Sequence, residues 1–111
     1  MSTNRSNDIV TVSDWNACYN SSDNLLVVSC TVASAEASNT ITGFGLIVND
    51  SAGTMLASFY SGLSEGSEHV YPAFNLPPGH LNVDEAVLVV VQGECDGQHF
   101  FVEQELTIGH C

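Results

Sequence analysis

Phe100-Phe101-Val102-Glu103-Gln104-Glu105-Leu106-Thr107-Ile108 decides the fold class. Phe100, Val102, Leu106 and Ile108 share one parity, while Glu103, Glu105 and Thr107 share the other. A β-strand sends successive side chains to opposite faces, so this period of two predicts a strand with one face against a core and one against water. Upstream, Ala86-Val87-Leu88-Val89-Val90-Val91 is apolar on both parities, as expected of a central strand covered on both faces. Gly93-Glu94-Cys95-Asp96-Gly97-Gln98 separates the two with turn chemistry, so together they predict a hairpin.

The same grammar continues outward. Leu25–Ala33 is β-rich and bounded by the polar clusters Asn20–Asn24 and Ser34–Asn39. Ile41–Val48 and Thr54–Tyr60 flank Asn49-Asp50-Ser51-Ala52-Gly53 and predict a second hairpin. Ser67–Phe74 makes a further strand, placed at an edge or bulge by Pro72, and Pro77-Pro78-Gly79 ends it. Ile9–Ser13 opens the series, and Ala35–Ser38 has room for one helical turn. About seven short strands without a helical period predict an all-β antiparallel sandwich, of immunoglobulin-like or jelly-roll type. No repeat or linker interrupts it, so residues 9–111 read as one domain and residues 1–8 as a flexible polar extension.

The chain carries 13 acidic residues and one base, Arg5, for a net charge of −12 over 111 residues. The acid count is ordinary, so the anomaly is missing bases. Such a field repels phosphate backbones and anionic headgroups, which argues against nucleic-acid and membrane-surface roles. No apolar run reaches the ~18 residues that cross a bilayer, and hydrophobic content of 44% is too high for a disordered chain. Residues 1–20 contain no basic segment followed by an apolar run, so no leader peptide is read there.

The turn motifs Asn49-Asp50-Ser51-Ala52-Gly53, Leu63-Ser64-Glu65-Gly66-Ser67 and Leu76-Pro77-Pro78-Gly79 lie in an order that resembles a bacterial immunoglobulin-like or fibronectin-like domain of the adhesion kind. The resemblance covers residues 25–108 and implies a fold without an activity. Trp15 departs from antibody-type domains, where the tryptophan stands between two cysteines rather than before the first.

Cys18, Cys30, Cys95 and Cys111 allow three pairings. With Cys95 in the turn of the last hairpin and Cys111 beyond its second strand, the two are roughly 40 Å apart along extended chain, so that bond requires the tail to fold back. A hairpin centred on Asn24 would oppose Cys18 and Cys30; Cys18–Cys111 is the other reasonable pairing. Either leaves Cys95 near solvent, free or bonded to another chain. A zinc set of Cys95, His99 and His110 or Cys111 lacks finger spacing and is not adopted. Asn49 with Asp50, Asp84 with Glu85, and Glu94 with Asp96 offer hard oxygen ligands for calcium, but none forms a defined loop, and solvated turn acids are the preferred reading.

No catalytic frame such as Gly-x-Ser-x-Gly is present, and His69, His80, His99 and His110 are scattered. Gly43-Phe44-Gly45 lies within a strand and suits close packing or a bulge. Tyr60 and Tyr71, at opposite ends of consecutive strands, offer a shared stacking platform for sugars. Ile9-Val10-Thr11-Val12 offers a strand that could complete a neighbour's sheet, with pairing in its own sheet as the default. The sequence therefore supports a non-enzymatic, extracellular or cell-surface subunit that self-assembles into a fibre, coat or layer by strand addition and disulfide cross-linking. The alternative is a carbohydrate- or protein-binding adhesion module, calcium-dependent in one version. A hydrolase or metalloenzyme ranks third.

Overall fold

A computed structural model of the chain describes residues 5–6, 10–34, 40–62, 64–65, 67–76 and 81–111. Its strands are β1 (Arg5–Ser6), β2 (Val10–Asn20), β3 (Leu25–Ser34), β4 (Thr40–Asn49), β5 (Met55–Ser61), β6 (Ser64–Glu65), β7 (Ser67–Val70), β8 (Ala73–Asn75), β9 (Ala86–Cys95), β10 (Gln98–Thr107) and β11 (Gly109–His110). Seven of these have four or more residues, which is the number the sequence predicts. The described residues contain no helix. The helical turn over Ala35–Ser38, the Pro77-Pro78-Gly79 turn, Leu63, Gly66, Ile9 and His80 lie outside the described residues, as does the conformation of residues 1–4 and 7–8.

The doubly apolar run behaves as expected. β9 is central, pairing with β10 on one side and β4 on the other, and β5 completes the path β10-β9-β4-β5 with β6 on β4. Val89, Val90 and Val91 are all buried. The second sheet runs β1-β2-β3-β7, with β11 joining β2 and β8 joining β3. The sheets stack as a sandwich. Val12, Leu26, Val28, Cys30 and Val32 of one face Phe44, Leu46, Val89, Val91, Phe100 and Val102 of the other, each at most 3% exposed. Burying each of the larger side chains contributes about 1.5–3 kcal/mol, and this layer holds the sheets together. The shortest dimension of 22 Å matches two sheets about 10 Å apart with outward side chains on both faces.

Two turns and one strand break set the registers. Asp96 and Gly97 both have positive φ and join Cys95 to Gln98 as a two-residue hairpin, the conformation that Asp-Gly favours. Asp50 Oδ1 accepts from the amides of Ala52 and Thr54, both at 2.9 Å, and closes the β4–β5 connection. Pro72 separates β7 from β8 along the outer edge of β3, where its missing donor is harmless.

Two expectations change. The opening strand does not end at Ser13 but runs to Asn20. A bulge between Ser13 and Asn16, with Asp14 at φ 56°, shifts the parity. Val10 and Val12 face inward before it, Ala17 and Tyr19 after it. The segment 1–8 is also not wholly an extension, because Arg5–Ser6 pairs antiparallel with Val12 and Thr11. Thr11 and Val12 therefore lie between β3 and β1 in their own sheet, and Val10 pairs with Ser34 of β3, the pairing weighed against strand exchange.

Candidate functional site

Cys18 and Cys111 form the disulfide, with Cα atoms 4.9 Å apart. The register explains the choice. Asn20 pairs with Leu25, so Cys18 stands opposite Val27, and the expected opposition to Cys30 is lost. Beyond β10 the chain crosses to the other sheet, where β11 runs parallel to β2 and pairs Gly109 with Cys18. Cys30 and Cys95 are free thiols, 0% and 1% exposed. The expectation that Cys95 faces solvent is thus corrected. The hairpin turn is confined to Asp96-Gly97, so Cys95 is the last residue of β9, on the core parity of Val89 and Val91. Its thiol lies 3.8 Å from the Ser34 hydroxyl. Burial pushes the Cys30 thiol up to about 12, which keeps it protonated and unreactive at neutral pH. The disulfide points to an oxidising environment.

Among the described residues no three His, Cys, Asp or Glu side chains gather at one point. The three pairs weighed for calcium differ in use. Asp50 is engaged in its own turn. Glu85 Oε1 accepts from Asn82 Nδ2 at 2.9 Å, and Glu94 and Asp96 are exposed at the end of the last hairpin.

The outward face of the β10-β9-β4-β5 sheet holds a groove of about 410 Å³. Cross-strand registers place Phe101, Gln92, Gly45 and Tyr60 in one row across four strands, and His99, Glu94 and Gly43 in the row beside it. Neighbouring strands are about 4.8 Å apart, so Phe101 and Tyr60 stand roughly 14 Å apart at the ends of their row. Glycine accounts for the depression between them. At Gly43 and Gly45 the outward face carries no side chain, and the Tyr60 ring lies over Gly43, where a Cβ would meet Tyr60 Cζ at 3.2 Å and collide with the hydroxyl. Gly93 sits deeper, with Phe44 Cα only 2.6 Å from where its Cβ would be, at the bulge between Ile41 and Gly43. The predicted packing role of Gly43-Phe44-Gly45 is present, and it also forms the groove floor. Tyr60 is 71% exposed and supplies an aromatic wall, while Thr42, Gln92, Glu94 and His99 supply polar groups.

Tyr71, also 71% exposed, belongs elsewhere. It borders a second, smaller depression of about 290 Å³ with Phe59, Glu68, His69 and Pro72. The shared Tyr60–Tyr71 platform is thus replaced by two separate grooves. Beside Tyr71, the Thr31 hydroxyl donates to Asp14 Oδ2 at 3.0 Å and lies 2.8 Å from His69 Nδ1. Asn49, the other ligand candidate, ends β4 beside the Asp50 turn and does not line either groove. Thr42 and Gln92 were not singled out in the sequence, and Glu94 and His99 were weighed there only as ligands for calcium and zinc. The available signal was Gly43, Gly45 and Gly93 in adjacent strands, and only the register aligns them.

No protein-family model matches the chain, and no curated protein sequence is significantly similar to it. Solved structures similar in fold include a β-glucuronidase of Parabacteroides merdae with glycerol in its active site, with a TM-score of 0.65 and 10% identity over 89% of this chain and 13% of that one. A second structure of that β-glucuronidase gives a TM-score of 0.61 and 11% identity over 94% and 14% of the two chains. The chain therefore spans about one-seventh of the length of these enzymes, and the likeness concerns the all-β fold alone.

Proposed function

We propose that the chain is a non-enzymatic glycan-binding module that works through the glycine-floored groove beneath Tyr60. The observation carrying this reading is the groove itself: the exposed Tyr60 ring over a floor without side chains at Gly43 and Gly45, with Gln92, Glu94 and His99 beside it. An exposed tyrosine ring offers a flat apolar face to the C–H face of a pyranose, and nearby amide, carboxylate and hydroxyl groups exchange hydrogen bonds with sugar hydroxyls. Burial of Cys30 and Cys95, and pairing of Val10–Val12 within its own sheet, remove two motives for a cross-linked, strand-exchanging fibre and shift the weight to this alternative. An immunoglobulin-like adhesion module at the cell surface is the matching finer assignment. It needs no cofactor, and calcium chelation is expected to leave binding intact.

The test is a titration of isotope-labelled protein with a panel of oligosaccharides, followed by amide shifts. Shifts concentrated at Gly43, Gly45, Gln92 and Glu94, lost in Tyr60→Ala and kept in Tyr71→Ala, support the reading. Shifts centred on His69 and Tyr71, or no shift with any glycan, refute it.

Self-association remains as a second reading because of edge strand β5. Met55–Ser61 carries no charged residue, and Met55 and Tyr60 are 60% and 71% exposed. Natural edge strands are normally guarded by charge or proline, and an unguarded one favours pairing with another copy. A concentration-dependent dimer in sedimentation that Ser58→Lys abolishes would support it. A monomer at all concentrations would exclude it.

A further inference from the structure

Resting on the glycan-binding reading, we infer that the groove takes amine-bearing, cationic sugars in preference to neutral ones and rejects uronic or sulfated ones. Glu94 lines the groove and is exposed. On the same outward face, Glu103 follows Phe101 by two residues along β10 and is also exposed, about 7 Å farther along the strand. No lysine exists in the chain, and its one arginine, Arg5, belongs to β1 in the other sheet. Among the described residues that line the groove, His99 alone is able to carry positive charge. A carboxylate or sulfate on a sugar would therefore enter a field set by a net charge of −12 with no guanidinium or ammonium to meet it. A protonated amine placed beside Glu94 gains a charge-assisted hydrogen bond while its ring lies against Tyr60.

A lysine-rich peptide would satisfy the same field. The geometry favours the sugar, because the groove offers one wide ring face and a polar row at pyranose scale. Its described lining is three glycines and four polar residues with Phe44 and Tyr60, unlike the apolar pockets that hold peptide side chains.

The experiment compares four probes by calorimetry and amide-shift titration at neutral pH: a β-1,4-linked glucosamine oligomer, its N-acetylated counterpart, a galacturonic acid oligomer and oligolysine. The amine sugar is expected to bind roughly three- to fivefold tighter than the acetylated one, the range for one exposed ion pair. Raising salt from about 20 mM to about 500 mM should narrow that ratio, because screening acts on the charge contact and not on stacking. Glu94→Gln should bring the ratio close to one. Asp23→Asn removes the same charge in the β2–β3 turn of the other sheet and should leave the ratio as it was. Equal ratios in wild type and Glu94→Gln, tight uronate binding, or oligolysine shifting the same amides as strongly as the amine sugar would each overturn the inference. In those outcomes a bound neutral oligomer keeps the glycan reading alive, whereas no sugar binding of any kind removes both.

Discussion

Breaking the Cys18–Cys111 bond should cost this protein a large part of its stability, and the size can be worked from the structure. The bond closes a loop with a sequence separation of 93. In the chain-entropy account, such a cross-link removes about 4.6 kcal/mol of disorder from the unfolded chain at room temperature. On the native side the buried Ile108 is hydrogen-bonded to Asp84 and Glu85, and beyond it the tail has few ties. β11 is two residues long, and the Cys111 amide reaches the Tyr19 carbonyl at 3.4 Å. Domains of this size are stable by about 5–15 kcal/mol, so the double variant Cys18→Ser/Cys111→Ser should stay folded with a narrow margin. Urea unfolding followed by tryptophan fluorescence is the assay, since the single Trp15 lies in β2 and packs against the core. A loss of about 3–4.6 kcal/mol is expected. Thiol counting provides the companion reading: none reactive in the native protein, two after unfolding without reductant, and four after unfolding with it. A loss below about 1 kcal/mol, or four thiols without reductant, would refute the assignment and the entropy argument built on it.

Three further outcomes follow from single positions. Gly93→Ala drives a Cβ into the Phe44 backbone and should cost more than about 3 kcal/mol in chemical denaturation. Gly62→Ala, with nothing within 4 Å, should stay within about 0.5 kcal/mol; equal effects would refute the close-packing account. Cys30 titrates near 12 when folded against an ordinary 9.0. Its stabilising contribution is therefore full below pH 9 and is lost at up to about 1.4 kcal/mol per pH unit as pH rises toward 12. Cys30→Ala should flatten that part of the stability–pH curve, and an unchanged slope would refute it. Because Thr31 gives its one proton to Asp14, His69 must donate from Nδ1. Nitrogen NMR of the neutral imidazole should show Nδ1 protonated and Nε2 bare, and the opposite tautomer would contradict the Asp14–Thr31–His69 chain.

Legibility varied with the range of the interaction involved. The strand at 100–108, the central run at 86–91 and the hairpins around Asp50 and Asp96-Gly97 were readable because alternation and turn chemistry act over a few residues. β2 was only half readable. Its inward set changes parity at Asp14, and a bulge is fixed by the partner strand rather than by local sequence. Cys30 could be assigned to the core from its shared parity with Leu26, Val28 and Val32. The partner of Cys18 required the crossover that carries β11 into the other sheet.

The candidate site shows the division most clearly. Sequence alone determined an acidic, lysine-free all-β chain with Tyr60 and Tyr71 at strand ends and glycines within strands. Tertiary structure alone decided that Gly43, Gly45 and Gly93 adjoin, that Gln92 and Glu94 border them, and that Tyr60 and Tyr71 serve different grooves. The physical reason is that alternation sets which face a side chain takes. Its neighbours on that face come from strands tens of residues away, through registers that bulges and core packing fix together.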